Sequence, residues 1–313
     1  MNKIKTAVVG VGHLGRFHAQ KHKMLEDVEL VGVCDTFREQ AEKVAREMGV
    51  QPFFDPKDLI GQVHAVTIAA STPAHYELVE LFLKNKIHVL VEKPIASTSI
   101  QAEKLCHLAE QNCLKFQVGH VERFNPALQA ARSKIDKPLF IEVHRLAPFK
   151  IRSTEVDVVL DLMIHDLDVI LSMVGSEPVS VSAVGTPVLT KQLDIANARI
   201  EFASGAVANV TASRVSQKTE RKFRLFQANQ YMSVDFQSGE VNLFTKTGEW
   251  SEGEIPIEHD SFNLEKGDAL LEETKSFITA IKDDAPVTVS GRDGLKALLL
   301  AEKIIENALK RLT

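Results

Sequence analysis

A lysine that follows a short apolar run is the first residue of this sequence suited to proton chemistry. Lys93 lies between Glu92 and Pro94, directly after residues 87–91, which are mostly apolar. An ammonium group at the end of a buried strand can hydrogen-bond a hydroxyl group of a small molecule. An exposed loop lysine fits the same position equally well, so the position alone leaves both readings open.

An aspartate and a histidine form the second candidate. Asp161 and His165 lie four residues apart in an apolar segment, and both therefore face one side of a helix predicted over residues 158–174. Asp168 lies on nearly the same side. Ionisable groups on a buried helix need partners or a cavity, and an imidazole of pKa ~6.5 can accept an alcohol proton. The alternatives are a satisfied core histidine with an aspartate cap, and a metal site. Because no third ligand has recognisable spacing, we expect no metal.

Three glycines near the beginning of the chain have the spacing of a dinucleotide-binding loop. Gly10, Gly12 and Gly15 follow a predicted strand over residues 6–9 and precede a predicted helix over residues 16–25. In this pattern Gly10 allows the tight turn, Gly12 lets a pyrophosphate approach the backbone, and Gly15 lets the helix pack on the strand. The helix N-terminus then offers unpaired N–H groups to the phosphates.

A carboxylate supports the same interpretation. Asp35 ends the next predicted strand, residues 29–34, and lies twenty positions beyond the last glycine, where it is expected to meet the adenosine ribose hydroxyls. It would repel a 2′-phosphate, which favours NAD over NADP, although Arg38 is close enough to weaken that preference. His13 and Leu14 lie inside the loop and are predicted cofactor contacts. The alternative is a helix-capping aspartate in a nucleotide-free α/β domain.

The composition is that of an ordinary globular protein. The chain has 313 residues, of which 44% are hydrophobic and 25% charged, and its net charge of −5 argues against nucleic acid or an anionic membrane as the main partner. Residues 1–5 run directly into the first strand, so we expect no signal peptide, and no apolar run is long enough for a bilayer span. Cys34, Cys106 and Cys113 lack metal or disulfide spacing, which predicts buried, reduced thiols and a cytoplasmic protein.

The first part of the chain, residues 1–119, alternates predicted strands and helices throughout. This pattern predicts a doubly wound parallel sheet of the Rossmann type, in which ligands bind beyond the carboxyl ends of the strands. The glycine loop and Asp35 fall at such ends. The loops that follow later strands supply the further predicted cofactor contacts Ser71, Thr72, Pro73, His75, Glu92 and Lys93.

In the second part, residues 120–313, strands and helices no longer alternate, and several predicted strands alternate apolar with polar residues. This pattern predicts an α+β domain with a large, mostly antiparallel, open-faced sheet of six or so strands. The predicted strands are residues 139–147, 179–186, 196–203, 206–214, 222–228, 232–236 and 241–245. The predicted helices are residues 158–174, 268–282 and 294–311, and the last of them could pack back on the first domain. A sheet of this kind commonly pairs with another copy, so we expect a homodimer or homotetramer.

Polar residues 119–126 connect the two parts. Arg123 and Asn125 are candidate substrate contacts, and an interdomain hinge stabilised by local polar bonds is an equal alternative. A basic run on predicted strands could bind a diphosphate, although a solvated sheet edge is the favoured reading. That run consists of Lys218, Arg221, Lys222 and Arg224.

Taken together, these motifs resemble those of the glucose–fructose oxidoreductase/inositol dehydrogenase/MocA family. The resemblance rests on Gly10-x-Gly12-x-x-Gly15, Ser71-Thr72-Pro73-x-His75, Glu92-Lys93-Pro94 and Asp161-x-x-x-His165, and on the ending at residues 286–294. It covers essentially the whole chain. It implies an NAD-dependent dehydrogenase acting on a secondary alcohol of a sugar or nucleotide sugar.

The resemblance also implies roles for individual residues. Lys93 would orient the substrate, His165 would take the hydroxyl proton, and Asp161 would bind substrate or tune His165. Glu92 and the backbone of residues 71–73 would help hold the cofactor. The protein would align the hydride donor and acceptor while the cofactor supplies the redox chemistry.

Two longer segments, residues 119–126 and 161–168, are similar to the branch of the family that oxidises C3 of UDP-N-acetylglucosamine. Two alternatives stay open at this point. One is a cofactor-sensing regulator of the same fold that performs no chemistry. The other is a reductase of a non-sugar acceptor such as an imine or a tetrapyrrole.

Overall fold

The computed structural model describes residues 3–151, 154–250, 253, 256–264 and 267–312. The chain divides into two compact units. The first contains Met1–Val121 and Asp268–Leu295, and the second contains Glu122–Gly267 and Lys296–Thr313. No helix in the described part of the chain is both long enough and apolar enough to cross a bilayer.

A six-stranded parallel sheet forms the centre of the first unit, in the order β3-β2-β1-β4-β5-β6. This confirms the predicted doubly wound arrangement. Its strands are β1 (Ile4–Val9), β2 (Val28–Cys34), β3 (Gln51–Phe53), β4 (Ala65–Ile68), β5 (His88–Glu92) and β6 (Phe116–Gly119). Its helices are α1 (His13–Met24), α2 (Arg38–Met48), α3 (Thr72–Lys84) and α4 (Ser99–Gln111). The sheet needs apolar residues on both faces because helices cover both, and every residue of β4 is buried.

The first unit also takes in a segment that the sequence analysis assigned to the second domain. Helix α7 (Ala269–Lys282) packs Phe277 and Ile278 against Val28, Ala65 and Leu90 of the parallel sheet. The prediction that the second domain is continuous to the C-terminus is therefore wrong for Asp268–Leu295. The apolar face of α7 fits the sheet of the first unit, and helical periodicity alone does not say which sheet a helix covers.

An eight-stranded sheet dominates the second unit, in the order β14-β13-β12-β11-β7-β10-β9-β8. Its described strands pair antiparallel except β7 with β10, which agrees with a mostly antiparallel sheet. They are β7 (Pro138–Leu146), β8 (Pro178–Thr186), β9 (Ile195–Phe202), β10 (Val207–Ser213), β11 (Glu220–Gln227), β12 (Gln230–Asp235), β13 (Glu240–Lys246) and β14 (Ile257–Asn263). Strand β14 was not predicted, because all of its residues are exposed and no apolar alternation marks it.

Helices cover one face of this sheet. They are α5 (Pro126–Arg132), α6 (Ile164–Val174) and α8 (Gly291–Leu309), and α5 was not predicted. Residues from α6 and α8, such as Leu167, Ile170, Ala301 and Ile304, belong to one buried core with the inward residues of the strands. A π-helical turn, Val159–Met163, leads directly into α6. The predicted helix over residues 158–174 is therefore present, but it begins with a wider turn.

Candidate active site

The glycine loop adopts the geometry that its spacing predicts. Gly10 has a φ of +81°, and a Cβ there would lie 2.4 Å from the backbone nitrogen of Ala70. A Cβ on Gly15 would lie 1.9 Å from the carbonyl oxygen of Gly10, so only glycine allows α1 to approach this closely. A Cβ on Gly12 would meet nothing within 4 Å, which leaves the backbone open to a ligand on that side. The turn at Gly10 and the close packing at Gly15 are confirmed.

The N-terminus of α1 is suited to binding an anion. Gly12 is its N-cap, makes no side-chain capping bond, and no acidic residue lies in the first turn. The first N–H groups of the helix and its dipole therefore face outward without a carboxylate of their own. His13 and Leu14 open this helix and are exposed, and the ring of His13 contacts that of Phe17 edge to face at 5.2 Å.

A cavity of about 720 Å³ lies beside the loop, entirely within the first unit. This is the size of a small-molecule site, and four of its lining residues were predicted cofactor contacts. Those four are Gly10, Gly12, Asp35 and Ser71. The remaining walls come from the ends of β1, β2 and β4, from α3, and from Pro56 and Lys57. The cavity thus lies beyond the carboxyl ends of the strands, where the fold binds dinucleotides.

Asp35 follows β2 and is half-buried. Its Oδ2 accepts a hydrogen bond from the Val11 N–H at 2.9 Å, and its Oδ1 accepts one from the Phe37 N–H at 2.9 Å. These bonds hold the glycine loop next to β2, and each carboxylate oxygen keeps a second lone pair for a ribose hydroxyl. The Arg38 guanidinium lies 4.1 Å from the centroid of the Phe54 ring. The ribose contact of Asp35 stays a prediction.

The loop after β4 forms another part of the cavity wall. Ser71 is the N-cap of α3, and Thr72 and Pro73 form its first turn. His75 is buried, with Nδ1 2.8 Å from the Pro94 carbonyl oxygen and Nε2 3.0 Å from the Ala70 carbonyl oxygen. Burial lowers the pKa of His75 although both carbonyls favour the charged ring. His75 therefore connects the loops that follow β4 and β5.

Glu92 is the last residue of β5 and is buried beneath the next loop. Its Oε1 lies 2.7 Å from Nε2 of His18 on α1, and its Oε2 accepts a hydrogen bond from the Lys93 N–H at 3.2 Å. Burial alone would raise the pKa of Glu92, but the hydrogen bond and charge of His18 outweigh it and the pKa is lowered. Lys93 is half-buried at the carboxyl end of the sheet. No sequence motif marks His18 as part of this site.

The second unit places Asp161 and His165 on one helical segment. Asp161 lies in the π-helical turn and His165 in the first turn of α6, and both are half-buried. The Ile164 N–H bonds to the carbonyl of Val159, five residues earlier, so the turn carries one extra residue. Such turns occur frequently at functional sites.

Three other acidic side chains on or near this segment form ion pairs with arginines. Asp168 accepts two hydrogen bonds from Arg123, at 2.6 and 2.8 Å. Asp166 accepts two from Arg145, at 2.7 and 2.8 Å, and Glu122 accepts one from the same arginine at 3.0 Å. Burial would lower the pKa of Arg145, but the charges of Asp166 and Glu122 raise it above its usual value.

This network bears on the two predicted substrate contacts between the domains. Arg123 is 5% exposed and its guanidinium is paired with Asp168, while Asn125 caps α5 by accepting the Ala127 N–H at 3.0 Å. Both arrangements favour the alternative of local polar bonds that stabilise the chain at this point. Glu122, Arg145 and Asp166 were not predicted, because charged residues in apolar surroundings are a weak signal in the sequence.

In the basic run, Arg224 pairs with Glu142 at 2.8 Å on adjacent strands, as a sheet-surface pair would. The cysteines are all free thiols, and Cys34 and Cys106 are buried, where burial raises each thiol pKa to about 12. Cys113 is exposed, which corrects the expectation that all three are buried.

Comparisons with known proteins agree with this architecture. Residues 4–120 match a family model described as an oxidoreductase family with an NAD-binding Rossmann fold, and residues 135–232 match the GFO/IDH/MocA C-terminal domain. The chain is 38% identical to UDP-N-acetylglucosamine 3-dehydrogenase of Acidithiobacillus ferrooxidans, over 99% of this chain and 100% of that one. It is 26% identical to inositol 2-dehydrogenase of Rhizobium meliloti over 98% of each chain.

Solved structures show the same fold. A structure of the Acidithiobacillus ferrooxidans enzyme matches with a TM-score of 0.93 and 36% identity over 100% of both chains. Scyllo-inositol dehydrogenase from Lactobacillus casei, solved with bound NAD(H) and scyllo-inositol, matches with a TM-score of 0.82 at 22% identity, over 99% of this chain and 98% of that one.

Proposed function

This chain belongs to the GFO/IDH/MocA oxidoreductase family, and we propose that it oxidises the C3 hydroxyl of UDP-N-acetylglucosamine with NAD as hydride acceptor. The observation that carries the proposal is the 38% identity to an enzyme of that activity over essentially the full length of both chains. The cavity beside Gly10, Gly12 and Asp35 supports the NAD part, because its loop and helix N-terminus suit a pyrophosphate.

We assign the proton chemistry to three residues. Lys93 orients the sugar hydroxyl, His165 accepts its proton as general base, and Asp161 binds the substrate or tunes His165. Bound NAD supplies the hydride acceptor, and the protein supplies alignment and proton transfer. The half-buried positions of all three residues support this assignment, because a reacting group must be reachable yet shielded from bulk water.

We assign cofactor binding to the residues around the glycine loop and the neighbouring strand ends. The pyrophosphate takes the first N–H groups of α1, and the adenosine ribose takes the carboxylate of Asp35. The other proposed contacts are Gly10, Gly12, His13, Leu14, Gly15, Arg38, Ser71, Thr72, Pro73, His75, Glu92 and Lys93. Arg123 and Asn125 are proposed only as indirect contributors, because their polar groups are engaged locally.

The test combines binding with turnover. Thermal-shift measurements should show stabilisation by NAD, since a ligand at a hundred times its Kd adds ~2.7 kcal/mol, and a further shift with UDP-N-acetylglucosamine. Formation of NADH with that sugar nucleotide, and the position of the new ketone, then identify the reaction. Binding of NAD without reduction by any sugar or nucleotide sugar would indicate a regulatory protein and contradict the proposal.

The role of Lys93 has its own test. Lys93→Ala should lower kcat by at least ~10²-fold without unfolding the protein, because the group that orients the hydroxyl is lost. Lys104→Ala, which removes an exposed lysine of α4, is the matched control and should leave kcat unchanged. Near-normal turnover of Lys93→Ala would refute the assigned role.

We propose that the protein is a homo-oligomer that pairs through the outer face of its eight-stranded sheet. Directly opposite residues on five strands form one row of rings there, with centroids 4.2–5.6 Å apart along it. The row consists of Phe140, Phe226, Tyr231, Phe244 and His259. A continuous aromatic row across a sheet is typical of interface cores. We also propose a cytoplasmic location, which the free thiols support.

A further inference from the structure

Glu273 is a buried carboxyl group that the proposed reaction does not use. It lies on α7, is 0% exposed, and neither of its carboxyl oxygens accepts a hydrogen bond from a described residue. Its helix is held in place on both sides, because Asp268 pairs with Lys21 of α1 at 2.6 Å and Gln117 of β6 donates to the Glu273 carbonyl at 3.2 Å. An ionised carboxylate in this position would be buried without a donor from the described residues, so the group needs a proton.

The side chain faces the Glu92 site described above. One ligand-type atom from each of His18, Glu92 and Glu273 lies within 4.8 Å of the other two, and all three residues are buried. Two carboxyl groups this close in a low-dielectric interior cannot both be ionised. Glu92 has the donors, from His18 and from the Lys93 N–H, so Glu92 carries the charge.

The spacing favours a proton over a metal ion. Two ligands of a tetrahedral ion with bonds of 2.0 Å lie about 3.3 Å apart. His18 Nε2 and Glu92 Oε1 are 2.7 Å apart, which is the distance of a direct hydrogen bond. Burial and the charge of Glu92 both raise the pKa of Glu273 well above its usual value, in the same sense.

We propose that Glu92 and Glu273 hold one dissociable proton between them, carried mainly by Glu273, and that Glu273 is thereby a positioning residue for Lys93. The Glu273 O–H supplies a further donor to the Glu92 carboxylate, which anchors the Lys93 backbone N–H. The role given to Lys93 rests on the proposed function, whereas the shared proton does not.

The other titratable groups near the pair lie on α1, α7, and at the ends of β5 and β6. His22 on α1 stays neutral, because burial and the charge of His18 lower its pKa to about 3. Strand β5 contributes Glu92 with Lys93 after it, and β6 contributes the amide of Gln117 and is followed by the buried imidazole of His120. On α7 itself Asp268 is paired with Lys21. His18 is the imidazole that shares the three-residue cluster with Glu92 and Glu273.

The first experiment measures Tm against pH for the wild type and for Glu273→Gln, which is permanently neutral and keeps a donor. A carboxyl with a raised folded-state pKa contributes stability that is lost as pH rises from its unfolded value, here 4.5, towards the folded value. The Tm of the variant minus the Tm of the wild type should therefore rise by roughly 3 °C per pH unit across that window. The control, Glu272→Gln, removes an exposed carboxylate one residue away and should show a flat difference.

The second experiment distinguishes the effect of losing a hydrogen-bond donor at position 273 from the effect of changing the side-chain volume there. Glu273→Gln should keep kcat within about threefold of the wild type, whereas Glu273→Leu should lose about 10- to 100-fold in kcat through misplacement of Lys93. The Kd for NAD should change less than kcat in both variants, because the glycine loop is untouched and the shift is confined to the contacts at Glu92 and Lys93. Equal kcat for the two variants would overturn the positioning role. If Glu273→Leu fails to fold, Glu273→Met makes the same comparison.

Two direct measurements complete the test. The infrared difference spectrum between wild type and Glu273→Gln at neutral pH should contain the carbonyl stretch of a protonated carboxylic acid. Its absence, a flat Tm difference, or a stoichiometric metal ion removable by a chelator would each overturn the shared proton. Normal turnover of Lys93→Ala with the infrared band present would instead refute the proposed role of Lys93 and leave the shared proton standing.

Discussion

The Asp168 carboxylate accepts two parallel hydrogen bonds from the Arg123 guanidinium, and the side chains are only 1% and 6% exposed. The two residues come from different elements, a 3₁₀ turn at Val121–Phe124 and helix α6. The helix that carries His165 is thus fixed to the chain segment that begins the second unit. A buried pair of this geometry is costly to break from one side, because the remaining charge is left without a partner.

Asp168→Asn should therefore destabilise the protein by about 3–5 kcal/mol, measured as the free energy of unfolding in urea. Glu201→Gln is the matched control, since Glu201 pairs with Arg199 at 3.4 Å on the surface and should cost no more than ~1 kcal/mol. Similar losses for the two variants would show that the buried pair contributes no more than a surface pair.

In the glycine loop, one substitution should change the stability of the fold and another should change the affinity for NAD. Gly15→Ala should lower the unfolding free energy by at least ~2 kcal/mol, because its Cβ would meet the Gly10 carbonyl oxygen at 1.9 Å. Gly12→Ala should fold normally, because its Cβ meets nothing within 4 Å, and should bind NAD more weakly where the pyrophosphate approaches. Calorimetric titration with NAD and chemical denaturation of both variants provide the check. Unchanged NAD affinity in Gly12→Ala would contradict the placement of the pyrophosphate.

His22 predicts a specific pH dependence of stability. Burial and the charge of His18 lower its pKa from 6.5 to about 3, so the imidazole is neutral in the folded protein at neutral pH. A depressed folded-state pKa contributes stability that is present above pH 6.5 and is lost as the pH falls towards 3. Relative to His22→Gln, the wild type should lose about 1.4 kcal/mol per pH unit within that window. Urea unfolding at several pH values measures it, with His107→Gln on the exposed face of α4 as control; a pH-independent difference would contradict a neutral His22.

The aromatic row predicts the effect of one charge on assembly. Tyr231→Glu places a carboxylate between Phe226 and Phe244 and should shift the protein to monomers, because an unpaired charge would be buried in the interface. Light scattering during size-exclusion chromatography reports the mass. Lys104→Glu on the first unit should leave the wild-type mass unchanged. A monomeric wild type would rule out the proposed assembly.

Much of the first unit could be predicted from the sequence because its signals are local. The turn at Gly10, the contact at Gly15 and the alternation of strands and helices depend on residues close in the chain, so spacing and periodicity reveal them. Strand β14 shows the limit of the same method. Its exposed residues carry no alternation, and only its pairing with β13 makes it a strand.

The sequence by itself determined which residue types are available at the strand ends and on α6, because those features follow from short-range pattern. Only the tertiary structure decided that α7 joins the first unit, that Glu273 lies beside Glu92, and that Arg123 pairs with Asp168. These pairings join residues far apart in the chain. The partner of a buried charge depends on which surfaces pack together, and no local periodicity records that choice.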